Sequence, residues 1–279
     1  MSGRFEQFRL SLMPRPQRDA FSAPDLSREE YLRKVFGSEW SFEHYKKEFR
    51  YQPKTMGDGS ALYALVARQG MIRENKPPEQ GLDDDSHIGW LACAVIIDPV
   101  DHKDGQKVAF QVDKTVGKPD ALIGALVNKI NAHDPTSTYY IEIEPIIDTT
   151  PFWDFVAENN GEITSVTFEL VAPNGIFSTG GDTADEMRRF REVLKARKVT
   201  STFQNEDGLD IYAEPFKEAT DYAARAGGKI RAKSKSGKRF NSTKKPKATI
   251  IPDEELDEAF EQEHILVRAA RYLAEVFGR

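Results

Sequence analysis

Apolar positions change period repeatedly along the chain, and each change marks an element. Phe8, Leu10 and Leu12 alternate with polar neighbours and predict a strand. "SREEYLRKVF" opens with the capping box Ser27…Glu30 and predicts a helix that Gly37 ends. Residues 40–51 are rich in aromatics and read as extended. "GDGS" at 57–60 turns the chain into a second strand, "ALYALVARQGMI". "ENKPPEQGLDDDS" reads as an exposed loop, and "IGWLACAVIID", continuously apolar, as a buried strand. "PVDHKDGQ" is a turn from which "KVAFQVD" returns as a hairpin.

Pro119 starts a helix with Leu122, Ile123, Leu126, Val127 and Ile130 on one face. "YYIEIEPII" alternates as a strand, and its Glu142 and Glu144 are expected to face solvent. "PFWDFVAENNG" reads as a short helix and "ITSVTFELV" as a strand burying Val166, Phe168 and Leu170. "TADEMRRFREVLKARK" carries the capping box Thr183…Glu186 and predicts a helix over 183–198. "LDIYAE" reads as a short strand and "PFKEATDYAARAGG" as a helix with a glycine stop. A long helix is predicted over 253–277, with the apolar stripe Leu256, Phe260, Val267, Ala270, Leu273 and Phe277.

Strands and helices mix without strict alternation, so the fold class expected is α+β. The expectation in detail is a mixed, mainly antiparallel sheet, several helices, a basic β-ribbon or loop and the long C-terminal helix. The chain divides into an N-terminal lobe at 1–135 and a C-terminal lobe at 136–279, or forms one compact domain.

Composition adds little until charge is placed. The 279 residues are 39% hydrophobic and 30% charged, with one cysteine, Cys93, in an apolar run. No apolar run approaches the roughly 20 residues of a membrane helix, and the start lacks the apolar core of a signal peptide. A cytoplasmic protein is expected. The formal net charge is −6. Within 225–247, however, Arg225, Lys229, Arg231, Lys233, Lys235, Lys238, Arg239, Lys244, Lys245 and Lys247 meet no acid. This segment's +10 against the total of −6 leaves −16 elsewhere. Such asymmetry points to an anionic partner met locally.

Lys229, Arg231, Lys233 and Lys235 occupy alternate positions, which share one face of a strand. Ser236-Gly237 signals a turn, and Lys238, Arg239 and Phe240 begin the return. A basic ribbon or loop of this kind lies along phosphates. Phe240 is its one aromatic, so repeated stacking on bases is not indicated. Arg188, Arg191, Lys195 and Lys198 form a second basic stripe on the helix predicted at 183–198.

Other chemistry is thinly represented. "SKSGKRF" lacks the glycine spacing of a phosphate loop, and "STGGDT" reads as a loop with a helix cap. The five histidines fall at no metal-ligand spacing. "DPVDHKDG" lacks the glutamate that completes a calcium loop. Glu142 and Glu144 have no lysine two residues on, as a restriction-type nuclease would require. No catalytic residue, metal or cofactor is expected.

The order "IEIEP", "GEITSVTFEL", "GLDIYAEPFKEATDYAARAGG", "KIRAKSKSG" and then a long terminal helix resembles the family of the phage lambda Rex exclusion protein A and related phage-exclusion proteins. The resemblance covers roughly residue 88 onward. It implies a cytoplasmic, dimeric DNA-binding sensor that recognises a phage-derived DNA or protein–DNA state and signals to a membrane-protein partner encoded beside it. It brings no catalytic motif, and this chain concentrates its positive charge more sharply after Gly228.

The function expected is therefore non-enzymatic binding of DNA, largely independent of sequence, as a sensor in phage exclusion or antiphage defence. A homo-oligomer is expected from the terminal helix and the resemblance. Two alternatives stay open: a metal-dependent nuclease effector built from scattered carboxylates, and a protein-interaction module using the basic loop.

Overall fold

The first strand sets the architecture, because its two faces have different tasks. Phe8, Leu10 and Leu12 point into a core, while Gln7, Arg9 and Ser11 on the other face are buried as well. A strand buried on both faces must be central, and β1 (Gly3–Pro14) pairs with three others. The computed structural model describes residues 3–15, 26–55, 59–102, 105–171, 196, 198–226, 228–244 and 246–251.

After β1 come α1 (Arg28–Phe36), β2 (Trp40–His44), β3 (Lys47–Lys54), β4 (Leu62–Asn75), β5 (Asp84–Asp98) and β6 (Gln106–Gln111). The chain continues through α2 (Pro119–His133), β7 (Tyr139–Pro145), α3 (Thr150–Glu158), β8 (Ile163–Val171) and β9 (Lys198–Gln204). Last are α4 (Glu214–Ala226), β10 (Gly228–Ser234), β11 (Arg239–Asn241) and β12 (Ala248–Ile251).

The α+β class holds, but the single mixed sheet does not. Two sheets form, and every pairing of their strands is antiparallel. The larger runs β12-β1-β6-β5-β4-β3-β2, with β7 beside β12 along the same edge of β1. The smaller runs β11-β10-β8-β9. Each has its own core. Helices α1 and α2 cover one face of the larger sheet, burying Leu32, Phe36, Leu122, Ile123 and Leu126 against Leu10, Val66, Val95 and Phe110. Helices α3 and α4 cover one face of the smaller sheet with Phe152, Val156, Tyr222 and Ala223. Each fully buried side chain of this kind contributes about 1.5–3 kcal/mol. Ile141 lies in the first core and Ile147 in the second, and β12 returns to the larger sheet.

Most local signals are realised as read. The Ser27 hydroxyl accepts from the Glu30 amide at 3.2 Å, and the Glu30 carboxylate accepts from the Ser27 amide at 2.8 Å. Pro119 begins α2. Cys93 is buried at 1% exposure, and burial first, then the nearby Asp113, pushes its thiol up to about 12.

Three readings need correction. "LDIYAE" is a turn, with Ile211 plugged into the second core and no ladder to another strand among the described residues. "IGWLACAVIID" is buried only from Cys93 onward, because its first half leaves the sheet. Glu144 does not face open solvent but meets two lysines, as described below. The chain also turns between β2 and β3 at Tyr45 and Lys46, both with positive φ and without the usual Gly or Asn. The predicted helix at 253–277 lies outside the described residues. Among those residues, no helix is long and apolar enough to cross a membrane.

Candidate nucleic-acid interface

Strand β10 shows how the basic segment is organised. Gly228, Ile230, Ala232 and Ser234 are buried, while Arg231 and Lys233 are exposed between them. The alternation seen in the sequence is thus a real division of faces. The helix α4 delivers the chain to β10 at close quarters. A Cβ on Gly228 would stand 2.8 Å from the Glu169 carbonyl oxygen, tighter than packing allows. Gly237, at φ 86°, makes the hairpin turn into β11.

The hairpin is not a free ribbon or a flexible loop. Arg231, Lys233 and Ser234 pair with Thr167, Ser165 and Ile163 of β8. Its tip is fastened as well. The Lys235 amide donates to the Glu162 carbonyl at 2.9 Å, and the Ser236 hydroxyl donates to the Asn159 side chain at 3.3 Å. Phe240 turns inward, its ring 5.7 Å from those of Phe152 and Phe155. It serves the core and is not offered to bases.

The outer face of the smaller sheet is therefore a rigid polar surface. One row runs Asn241, Arg231, Thr167, Thr202, and the next runs Arg239, Lys233, Ser165, Gln204. The Thr167 and Thr202 hydroxyls are bonded at 3.1 Å. Arg231, Lys233, Arg239, Ser165, Thr167 and Asn241 line a shallow depression of about 360 Å³. Lys235 and Lys238 stand at the adjoining hairpin end, also exposed. None of these five cations has an acidic partner among the described residues. Lys233 and Arg239 sit directly opposite each other, a like-charge pairing that weakens a sheet. Nothing within the described residues offsets that repulsion, whereas a bound anion would.

Lys229, on the same strand face, has a different environment. Its Nζ lies 3.3 Å from Glu169 and 3.7 Å from Glu144, while the Lys198 Nζ lies 3.0 Å and 2.9 Å from the same carboxylates. The four side chains join β7 of the larger sheet to β8, β9 and β10 of the smaller. Burial opposes the charge of Glu169, but the Lys198 hydrogen bond and the field of Lys229 outweigh it and hold its pKa below the usual value. Burial likewise opposes the charge of Lys198, but its bonds to Glu144 and Glu169 outweigh this and raise its pKa.

The remaining candidates are scattered. Arg225 is exposed at the end of α4, in the helical layer. Lys247 is exposed on the crossing to β12, where its amide donates to the Ile146 carbonyl at 2.8 Å. Lys244 falls in the 3₁₀ turn Ser242–Lys244. Lys245, Arg188, Arg191 and Lys195 lie outside the described residues. Lys198 opens strand β9 and so is not on the helix predicted over 183–198, whose residues 183–195 lie outside the described residues.

The hydroxyl and amide residues of the face were missed in the sequence. For Ser165 and Thr167 a signal existed, since they alternate with the apolar Val166 and Phe168. For Thr202 and Gln204 it was weaker, because β9 has few apolar positions to reveal its period. Away from this face, Glu74, Asp85 and His87 bring ligand atoms within 4.8 Å of one another, all three exposed. Exposed acids commonly cluster in this way, and no metal centre is read from them. Comparison with known proteins finds no matching family model, no matching curated protein and no matching solved structure.

Proposed function

We propose that the protein binds nucleic acid, DNA in the first place, through the outer face of β10 and β11, without catalysing a reaction on it. The observation that carries this is a set of five exposed cations, Arg231, Lys233 and Arg239 on the outer face of β10 and β11 with Lys235 and Lys238 at the adjoining hairpin end. They lie beside hydroxyl and amide groups and have no acidic partner among the described residues. Lysines, arginines and hydroxyls presented on a flat sheet contact phosphate and sugar, which position a duplex without reading its sequence. Phe240, half-buried against Phe152 and Phe155, is the one aromatic beside the depression among the described residues, so repeated stacking on single-stranded bases is not indicated and a duplex is favoured. The biological setting, a sensor in phage exclusion or antiphage defence with a membrane-protein partner, rests on the resemblance to the Rex exclusion family.

Fluorescence anisotropy with labelled duplex and single-stranded oligonucleotides over a salt series tests this. Five phosphate contacts give a slope of log K against log salt of about −4.5, a loss of several hundred-fold between about 50 and 200 mM. No duplex binding at low salt would remove the proposal.

A second reading has one observation behind it. Glu144 and Glu169 converge beside the basic face with Lys198 and Lys229, a grouping of carboxylates and lysines that a metal-dependent nuclease could use. The two ammonium groups already neutralise the two carboxylates, which weighs toward a structural cross-link. Plasmid cleavage that requires magnesium or manganese and is lost in Glu144→Gln would establish the nuclease instead.

A further inference from the structure

The densest run of negative charge in the chain follows soon after the basic hairpin. Residues 253–263, "DEELDEAFEQE", hold seven carboxylates and no Lys or Arg. Their −7 is nearly half of the −16 that the chain carries outside 225–247. No other eleven consecutive residues hold as many acids. A block of like charge this dense is characteristic of an interaction segment.

These residues lie outside the described ones, but the place where they join the fold does not. Strand β11 ends at Asn241, β12 ends at Ile251, and the acidic run begins two residues later. Twelve residues lead from Arg239 to Ile251, so these two are no more than about 40 Å apart. Residues 252–263 are twelve more and span as much when extended. The chain itself thus ties the acidic run within reach of the basic face, at a local concentration on the order of millimolar.

That face has the complementary need. Arg231, Lys233 and Arg239 have no acidic partner among the described residues, and Lys233 and Arg239 repel each other across the β10–β11 pair. Carboxylates spaced along a chain offer such cations the same anionic oxygens as a phosphate backbone. We infer that residues 253–263 dock on the β10–β11 face of their own chain and compete there with nucleic acid. The competition is graded by charge density. An extended run of seven acids in eleven residues carries one charge per about 5 Å, whereas a duplex carries one per about 1.7 Å of its axis. A duplex therefore displaces the run, while weaker anions are kept off. The docking needs only a free basic face; its role as a competitor rests on the nucleic-acid reading above.

Two measurements on the full chain test this. Carbodiimide cross-linking converts a lysine–carboxylate contact into an amide, and mass spectrometry of the monomer-mass band locates it. Wild type at low salt should link 253–263 to Lys233, Lys235 or Lys238, and high salt or a short DNA duplex should abolish the links. The second measurement is duplex anisotropy on Glu254→Gln/Glu255→Gln/Glu258→Gln/Glu261→Gln. A face covered in about nine molecules of ten binds about tenfold more weakly, so this variant should gain about tenfold at about 50 mM salt, less as salt rises. A control removes four charges elsewhere. Strands β4 and β5 run on past β3 and β6 as a two-stranded arm, in which residues 69–75 pair with 84–90. Glu74→Gln/Glu79→Gln/Asp83→Asn/Asp84→Asn, all exposed at the end of that arm, makes the same change in net charge and should alter binding about twofold or less. Absence of the cross-links in wild type overturns the inference, as does a gain in duplex binding no larger than the control's. Cross-links that form as described while neither wild type nor variant binds duplex remove the functional proposal and leave the docking standing.

Discussion

Lys229 and Arg231 are two residues apart on one face of one strand, yet they lie in different electrostatic settings. Lys229 is half-buried between Glu144 and Glu169, where it helps Lys198 fasten the smaller sheet to the larger. Arg231, with Lys233 and Arg239, faces solvent beside hydroxyl and amide groups. Both belong to the same run of positive charge in the sequence. The difference teaches that a count of charges does not measure the charge available to a partner. Cross-strand neighbours decide it, since Lys229 is opposite Glu169 while Arg231 is opposite Thr167.

The sharpest way to break this comparison is to remove the free cations. Arg231→Ser/Lys233→Ser/Arg239→Ser should lower the salt slope by about 2.7 and weaken duplex binding roughly 100-fold at about 0.15 M salt. All sequences should be affected alike. Chemical denaturation should show the fold retained or slightly stabilised, because the Lys233–Arg239 repulsion is gone.

Phe240 tests whether the face uses aromatic stacking. Phe240→Ala should destabilise the protein by about 2 kcal/mol through lost contact with Phe152 and Phe155. The salt slope, measured by anisotropy on the folded fraction, should not change.

Lys229→Ser should do the reverse of the triple substitution. Removing one partner of a half-exposed ion cluster costs about 1 kcal/mol, a fall of roughly 2–4 °C in melting temperature for a chain of this size. The salt slope should change by less than one contact's worth, about 0.9. A full loss of one contact would place Lys229 among the binding residues after all.

The smallest effect is on pH. The Glu169 pKa is depressed from its ordinary value of 4.5 in the folded protein. Its contribution to stability is present above 4.5 and is lost as pH falls through the lower folded value. The Lys198 pKa is raised above 10.5, so its contribution is complete below 10.5 and is lost as pH rises through the higher folded value. Melting temperature against pH should therefore fall at the acid end less steeply in Glu169→Gln than in wild type, with the two curves approaching each other below the depressed pKa.

Much of the local structure could be read before any coordinates. The Ser27–Glu30 box, Pro119 and the alternation in "KIRAKS" each act within a few residues, so they were legible. The elements misjudged depend on distant partners. Strand β12 is only four residues long and exists because β1 offers it an edge. Strand β9 is mostly polar and is held by β8. "LDIYAE" has strand-like residues but pairs with no strand among the described residues. The β4–β5 arm looked like a loop after one strand and a buried strand after it, because sequence shows apolar side chains without showing whether anything covers them.

The sequence by itself determined where α1 starts and stops and where α2 starts, which residues of β10 share a face, and that positive charge gathers in one segment. These follow from backbone geometry and from composition, which operate over short distances. Only the tertiary structure decided that the strands form two antiparallel sheets, that Glu144 reaches Lys198 and Lys229, and that Met71, Ile88 and Trp90 stand exposed among the described residues. Those outcomes depend on strand pairing between residues as much as about 250 positions apart, such as Gly3 and Ile251. Pairing at that range is chosen by the burial of whole sheet faces, and that choice is what left Arg231, Lys233 and Arg239 facing outward together.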